Sequence, residues 1–175
     1  MMAFKDLKGE ARYGEGAMAG DLAEAKVMEF MESIERPVQH FGAKHVPTER
    51  AQATTWTPKI RHAPDFLGWA KFFEVQGCWN KHVIFKVDKL ECLLAWDAEM
   101  PVWYAIYIQA TDEIIVCPLQ TVLWACNDSR TTPITLDIGT RAEKQAYEVP
   151  LEVLLDVRVK DSMELHRLTK GKKGR

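Results

Sequence analysis

The sequence predicts a mixed α/β fold, a central β-sheet flanked by helices, on three observations. Helix-period and strand-period segments alternate along the chain, two strand-like segments stand on either side of a tight turn, and the apolar content is that of one buried core. At 175 residues with 47% hydrophobic positions, the chain is long enough for one such core and too short for two full-sized domains. One domain over residues 1–175 is therefore expected, with a core over about 14–157 and flexible termini over about 1–13 and 160–175.

The elements follow in order. Asp21 to Glu35 sets Ala23, Val27, Phe30, Met31 and Ile34 on one helical face, with Asp21 in the first turn where a carboxylate favours the helix dipole. Arg36-Pro37 ends that helix, and Val38 to Phe41 reads as a first short strand before a polar loop. Ile60 to Leu67 and Lys71 to Gly77 read as antiparallel strands joined by a turn at Gly68. Lys86 to Ala98 returns to helical spacing through Val87, Leu90, Leu93 and Leu94, and Pro101 closes it. Val102 to Gln109 and Glu113 to Leu119 are β-branched and aromatic around a turn at Thr111-Asp112, which predicts two more strands. Thr121 to Cys126 is expected as a short helix, strand is expected over Ile134 to Ile138 and around Tyr147 to Val149, and Pro150 opens a short helix through Leu155.

Composition bounds the function. A net charge of −2 argues against a protein that coats nucleic acid non-specifically, yet basic residues gather at Lys81, Lys86 and Lys89 and again in the tail at Lys170, Lys172, Lys173 and Arg175. The tail reads first as a solvated terminus and second as a phosphate-contacting arm. Cys78, Cys92, Cys117 and Cys126 form no CxxC pair, and the five histidines are scattered, so reduced packed thiols are expected and a zinc site is not. There is no apolar run of membrane-spanning length and no signal-peptide layout in the first twenty residues, which predicts a soluble, cytoplasmic protein.

The chemistry concentrates on one hairpin. Glu74 and Gln76 are two apart on a strand and share one face, while Phe73 and Val75 point to the other. Asp65, after Pro64, stands near the end of the preceding strand, where antiparallel pairing can bring its carboxylate close to that of Glu74. Two converging carboxylates beside a backbone carbonyl make a hard-oxygen environment suited to Mg²⁺, which keeps its other positions for water and a substrate phosphate. Glu24, at about 100° per residue, falls beside Met31 near the apolar stripe of its helix, and an inward carboxylate there has to be paired, hydrated or near a metal.

These residues resemble the PD-(D/E)XK nuclease superfamily of restriction enzymes, Holliday-junction resolvases and RecB-like exonucleases. The resemblance covers roughly residues 14 to 120 and rests on Gly20-Asp21-Leu22-Ala23-Glu24 opening a helix, Pro64-Asp65, Glu74-Val75-Gln76 on the next strand, and the helix that follows. It implies a restriction endonuclease-like core and a hydrolase that cuts DNA with Mg²⁺ or Mn²⁺, held by Asp65, Glu74 and the carbonyl of Val75, with Glu24 holding a water of the ion. A recombination, repair or restriction role, in a phage or mobile element, would suit the small size. The lysine expected two residues after Glu74 is Gln76, which brings no positive charge; the resemblance implies that a lysine of the next helix reaches back, with Lys86, nearer the apolar face, preferred over Lys89. Trp69, Trp79 and Lys81 flank the strand as candidate contacts to DNA, core packing being the other reading of the tryptophans. A homodimer would suit symmetric cutting of two strands. The loss of the lysine also admits a catalytically inactive nuclease-fold protein that binds DNA or another protein.

Overall fold

A computed structural model describes residues 10–36, 38–42, 57–137, 143–157 and 164–167. Its elements are α1 (Glu10–Ser33), β1 (Gln39–His40), α2 (Pro58–Arg61), β2 (Phe66–Gly68), β3 (Lys71–Cys78), β4 (His82–Lys86), α3 (Val87–Asp97), β5 (Val102–Ile108), β6 (Glu113–Pro118), α4 (Leu119–Cys126), β7 (Thr132–Asp137), β8 (Glu143–Pro150), α5 (Leu151–Val157) and β9 (Glu164–Arg167). The main sheet has the order β1-β2-β3-β5-β6-β9, with β3 and β5 parallel and the other pairs antiparallel. A second, antiparallel sheet has the order β4-β8-β7. The mixed central sheet flanked by helices that the sequence predicts is the architecture found.

Alternation along the strands sorts the core into two. On one face of the main sheet, Phe66, Phe73, Val75, Ala105, Tyr107, Ile114 and Val116 pack against Ala23, Val27, Phe30 and Met31 of α1. On the other, Phe72, Cys78, Tyr104, Ile106, Ile115 and Cys117 pack against Leu90 and Leu93 of α3, the α4 and α5 helices, and Val83, Phe85 and Val149 of the second sheet. Burying both faces of a central strand removes most of its apolar surface from water, about 25 cal/mol per Å². Cys78, Cys117 and Cys126 are buried and Cys92 is partly so, all four as free thiols.

Several boundaries differ from the sequence expectation, each for a physical reason. The first helix begins at Glu10 rather than Asp21, so the glycines at 14, 16 and 20 are absorbed: each costs about 1 kcal/mol in a helix, and nothing stands within 4 Å of a Cβ added at Gly20. It ends where Glu35 turns left-handed (φ 56°) and the Arg36 N–H reaches the Met31 carbonyl at 2.8 Å. Ile60 to Pro64 is not strand. Pro58 nucleates a single helical turn at its N-terminus, and Pro64, with no N–H, cannot donate to a ladder, so β2 begins only at Phe66. The hairpin turn is Trp69-Ala70, both at positive φ (52° and 57°), with Gly68 still in the strand. The expected helix over Lys86 to Ala98 is α3, one residue shorter at each end.

Two strands go beyond the sequence expectation. His82 to Lys86 forms β4 after a second left-handed pair, Asn80-Lys81, and pairs with β8 rather than with the main sheet. Glu164 to Arg167 adds β9 to the outer edge of β6, inside the segment expected to be a flexible terminus. The rest of that segment, with the basic tail, lies outside the described residues, as do residues 1–9 of the other terminus and the end of the strand expected through Ile138.

Candidate active site

The pairing of β2 with β3 sets the site. Phe66 faces Phe73, Leu67 faces Phe72 and Gly68 faces Lys71, so one further step of the same register puts Asp65 opposite Glu74. The next step puts Pro64 opposite Val75. A residue in a strand sends its N–H and C=O to the same side. Phe72 sends its N–H to the Pro101 carbonyl on the β5 side, so Val75, of odd parity, faces the β2 side. There Pro64 has no N–H to give to the Val75 carbonyl. The Val75 N–H goes to a side chain rather than to a backbone carbonyl: Asp65 Oδ2 accepts it at 2.7 Å, a charge-assisted bond. The Val75 carbonyl leaves on the same edge as that carboxylate.

The backbone behind Asp65 is tightly held. Its carbonyl accepts the N–H groups of Phe41 and Gly42 at 2.9 and 3.3 Å, and a Cβ at Gly42 would stand 3.0 Å from the Pro64 carbonyl oxygen. Gly42 thus permits the close approach of the β1 segment that fixes Asp65.

Glu74 is 6% exposed, buried on the face shared with Phe72 and Cys78. Lys89, from the first turns of α3, brings its Nζ to 2.8 Å from Glu74 Oε2 and donates to the Ala63 carbonyl at 3.0 Å. That ammonium is close enough for an ion pair yet off the line of a well-aligned hydrogen bond, and Oε2 is a buried oxygen without one. Burial first, and the Asp65 charge second, push the Glu74 carboxyl well above its usual range, while Lys89 pulls the other way. Burial would lower the Lys89 ammonium, but the charges of Glu74 and then Asp65 outweigh it and raise it. Tyr104, the β5 residue in register with Glu74, is buried beneath it, its hydroxyl pushed well up by burial and then by the Glu74 charge.

The other expected residues divide. Gln76 is half-buried on the same face of β3 as Glu74, two residues on. Lys86 is not on the helix: it ends β4 and takes the N-cap position of α3, exposed, while Lys89 is the lysine that meets Glu74. Glu24 is half-buried on α1, the helix that packs on the Phe73 and Val75 face. Among the described residues no three His, Cys, Asp or Glu side chains gather as a metal-ligand group. Trp69 and Trp79 stand at opposite ends of β3. The Trp69 ring is 39% exposed, with the Arg36 guanidinium 4.3 Å over it and Phe73 edge-on beneath. The Trp79 ring covers Gly77, where an added Cβ would meet its Nε1 at 2.5 Å, and Lys81 is exposed in the adjoining turn.

A neighbouring group carries no signature in the sequence. Asp88, in the first turn of α3, takes Lys144 Nζ of β8 at 2.5 Å and has His62 Nε2 at 3.6 Å, both on Oδ2. Partial burial pushes its carboxyl up, but Lys144 and then His62 outweigh this and hold it below its usual value. Lys144 is 56 positions from Asp88, and no local spacing announces the pair.

No family model matches this chain, and no curated protein matches it. Among solved structures, it is similar to Hjc, a Holliday junction resolvase from the archaeal hyperthermophile Archaeoglobus fulgidus, at 12% identity and a TM-score of 0.46, over 78% of this chain and 87% of that one. It is also similar to D212, a nuclease from a fusselovirus, at 10% identity and a TM-score of 0.40, over 87% of this chain and 93% of that one. The helix, hairpin, helix and strand pair read from the sequence stand in that order as α1, β2–β3, α3 and β5–β6, with β4 inserted before α3. Among the described residues, no helix is long and apolar enough to cross a membrane.

Proposed function

We propose that this protein is a divalent-metal-dependent nuclease that hydrolyses DNA phosphodiester bonds at Asp65 and Glu74. The observation that carries the reading is the buried Glu74 carboxylate, beside the Asp65 carboxylate and met by a lysine from the following helix. The donor set fits a hard cation: two carboxylates, the Val75 carbonyl on the same edge, and a buried Oε2 that lacks an aligned hydrogen bond. When bound, Mg²⁺ or Mn²⁺ lowers the pKa of water and offsets negative charge gathering on the phosphate.

The chain's own residues do the rest. Asp65 is oriented by the Val75 N–H, and Glu74 by Lys89, so neither carboxylate has to be ordered when a substrate arrives. Lys89, rather than Lys86, stands where the charge missing at Gln76 is needed. Its ammonium meets the negative charge that develops as a water oxygen bonds to phosphorus and one ester P–O bond breaks, giving a phosphate monoester and a hydroxyl that takes the proton. Gln76, on the same face, orients the water through its amide. This reading does not need Glu24.

A second reading is favoured by the same ion pair. Lys89 and Glu74 satisfy each other's charge, which is how a retired site that only binds DNA would look once Gln76 replaced the lysine. Incubation with supercoiled, linear, single-stranded and four-way-junction DNA, in Mg²⁺, Mn²⁺ or EDTA, separates the two. The nuclease cuts with either metal, not in EDTA, and Asp65→Ala abolishes it. Cutting that survives Asp65→Ala sinks the site, and binding without cutting of any substrate favours the second reading.

A further inference from the structure

Beside the carboxylate pair is a group of cations short of one anion. Lys86, at the junction of β4 and α3, and Lys144, on β8, come from neighbouring strands, since Lys86 is in register with Ala146. Lys144 is oriented by Asp88, whose Oδ2 also faces His62. Lys89 follows one residue later and is committed to Glu74. Lys86 makes no ion pair with any described residue, and it is exposed. Its ammonium is lowered from its usual value by its low-dielectric surroundings and next by the charge of Lys144. Like charges held together by a rigid strand pair and a helix start are costly unless an anion is received there.

We infer that Lys86 and Lys144, the latter positioned by Asp88, form a seat for a second backbone phosphate of the DNA strand whose scissile phosphate is at Glu74. The inference rests on the reading of DNA as the substrate, and it gives the small second sheet a role: β8 carries Lys144 to the site. A phosphate matches the seat because it accepts from two separate ammonium groups at once, and interactions of this kind fix register on the strand without reading its sequence. Asp88 and His62 touch no phosphate in this arrangement; Asp88 is a positioning residue.

The test is the salt dependence of binding. Removing one ammonium from the phosphate seat should reduce the slope of log affinity against log salt by about one. A labelled duplex is titrated with the full chain in EDTA across a range of NaCl concentrations, while cleavage is followed separately in Mg²⁺. Lys86→Gln with Lys144→Gln lowers the slope by about two, and Lys86→Arg with Lys144→Arg keeps it. Lys26→Gln, on the α1 layer, leaves it unchanged. Thermal unfolding shows which variants are folded, and the single Gln variants, each worth about one, serve if the double does not fold. An unchanged slope in a folded Gln variant overturns the seat even if the protein cuts DNA. A lowered slope without cleavage keeps the seat and removes the nuclease reading. A wild-type chain that binds no duplex removes both.

Discussion

The two faces of β3 follow different rules. Phe73 and Val75 point into a layer packed from apolar side chains of α1 and the sheet, where a polar group without a partner would be costly. Glu74, one position between them, points the other way and is just as buried, but it meets Asp65, Lys89 and Tyr104. One face holds by shape, the other by matched charge. Shape tolerates a methylene more or less, whereas a charge removed from the second face leaves its partner stranded.

The largest expected effect breaks the polar face alone. Asp65→Asn keeps an acceptor for the Val75 N–H but not the charge, so cleavage should fall by at least about 10²- to 10³-fold with the fold intact. Asp65→Ala should also cost about 1–3 kcal/mol of stability through the unpaired N–H, read by denaturant unfolding. Equal unfolding midpoints for the two would show that the hydrogen bond at Asp65 is not what holds β3.

Next in size, Lys89→Met should destabilise by about 3–5 kcal/mol near neutral pH because Glu74 is left buried without its cation. The sign with pH is fixed by the raised carboxyl: its contribution is present below its unfolded value and lost as pH rises through the folded one. The penalty of Lys89→Met should therefore shrink as pH falls toward the ordinary carboxylate range, and adding Glu74→Gln should remove most of it. On the apolar face, Phe73→Ala should cost about 3–5 kcal/mol with no such pH dependence. A pH-dependent penalty at Phe73 would erase the contrast between the faces.

A smaller effect sharpens the division of labour. Mg²⁺ at a fixed concentration of about 100 times its dissociation constant at neutral pH should stabilise the protein by about 2.7 kcal/mol there, more as rising pH tightens binding by taking the Glu74 proton, and not in Asp65→Ala. The smallest should be Gln76→Lys alone, within about tenfold of wild-type cleavage, since Lys89 already supplies the charge. In a Lys89→Gln background the same change should recover activity, and no recovery would mean that Gln76 is not near the reacting phosphate.

Much of this site is legible in the sequence because it is local. The period of two in Phe-Phe-Glu-Val-Gln sets Glu74 and Gln76 on one face of the strand and Phe73 and Val75 on the other, and a short hairpin brings Asp65 toward Glu74. What the sequence hides depends on boundaries. A helical angle for Lys86 places it near the apolar face, but the residue is extended, so that angle does not apply and Lys89 is the lysine that reaches Glu74. Pro58 is a readable helix start, yet the strand-like run from Ile60 to Leu67 masks the turn that follows it. The Asp88 and Lys144 pair and the second sheet are not legible, since they depend on proximity across 56 residues that no window of the sequence holds.

The turn at Trp69-Ala70 makes one more demand, on what the gene can tolerate there. Two non-glycine residues in the left-handed region, the Trp69 ring held between Arg36 and Phe73, act as a ruler that counts residues between Asp65 and Glu74. Inserting or deleting one residue in it would shift the register by one and swap the faces of one strand relative to the other. Surface turns usually absorb length changes, but this one should be a place where lineages can exchange side chains and never alter the spacing.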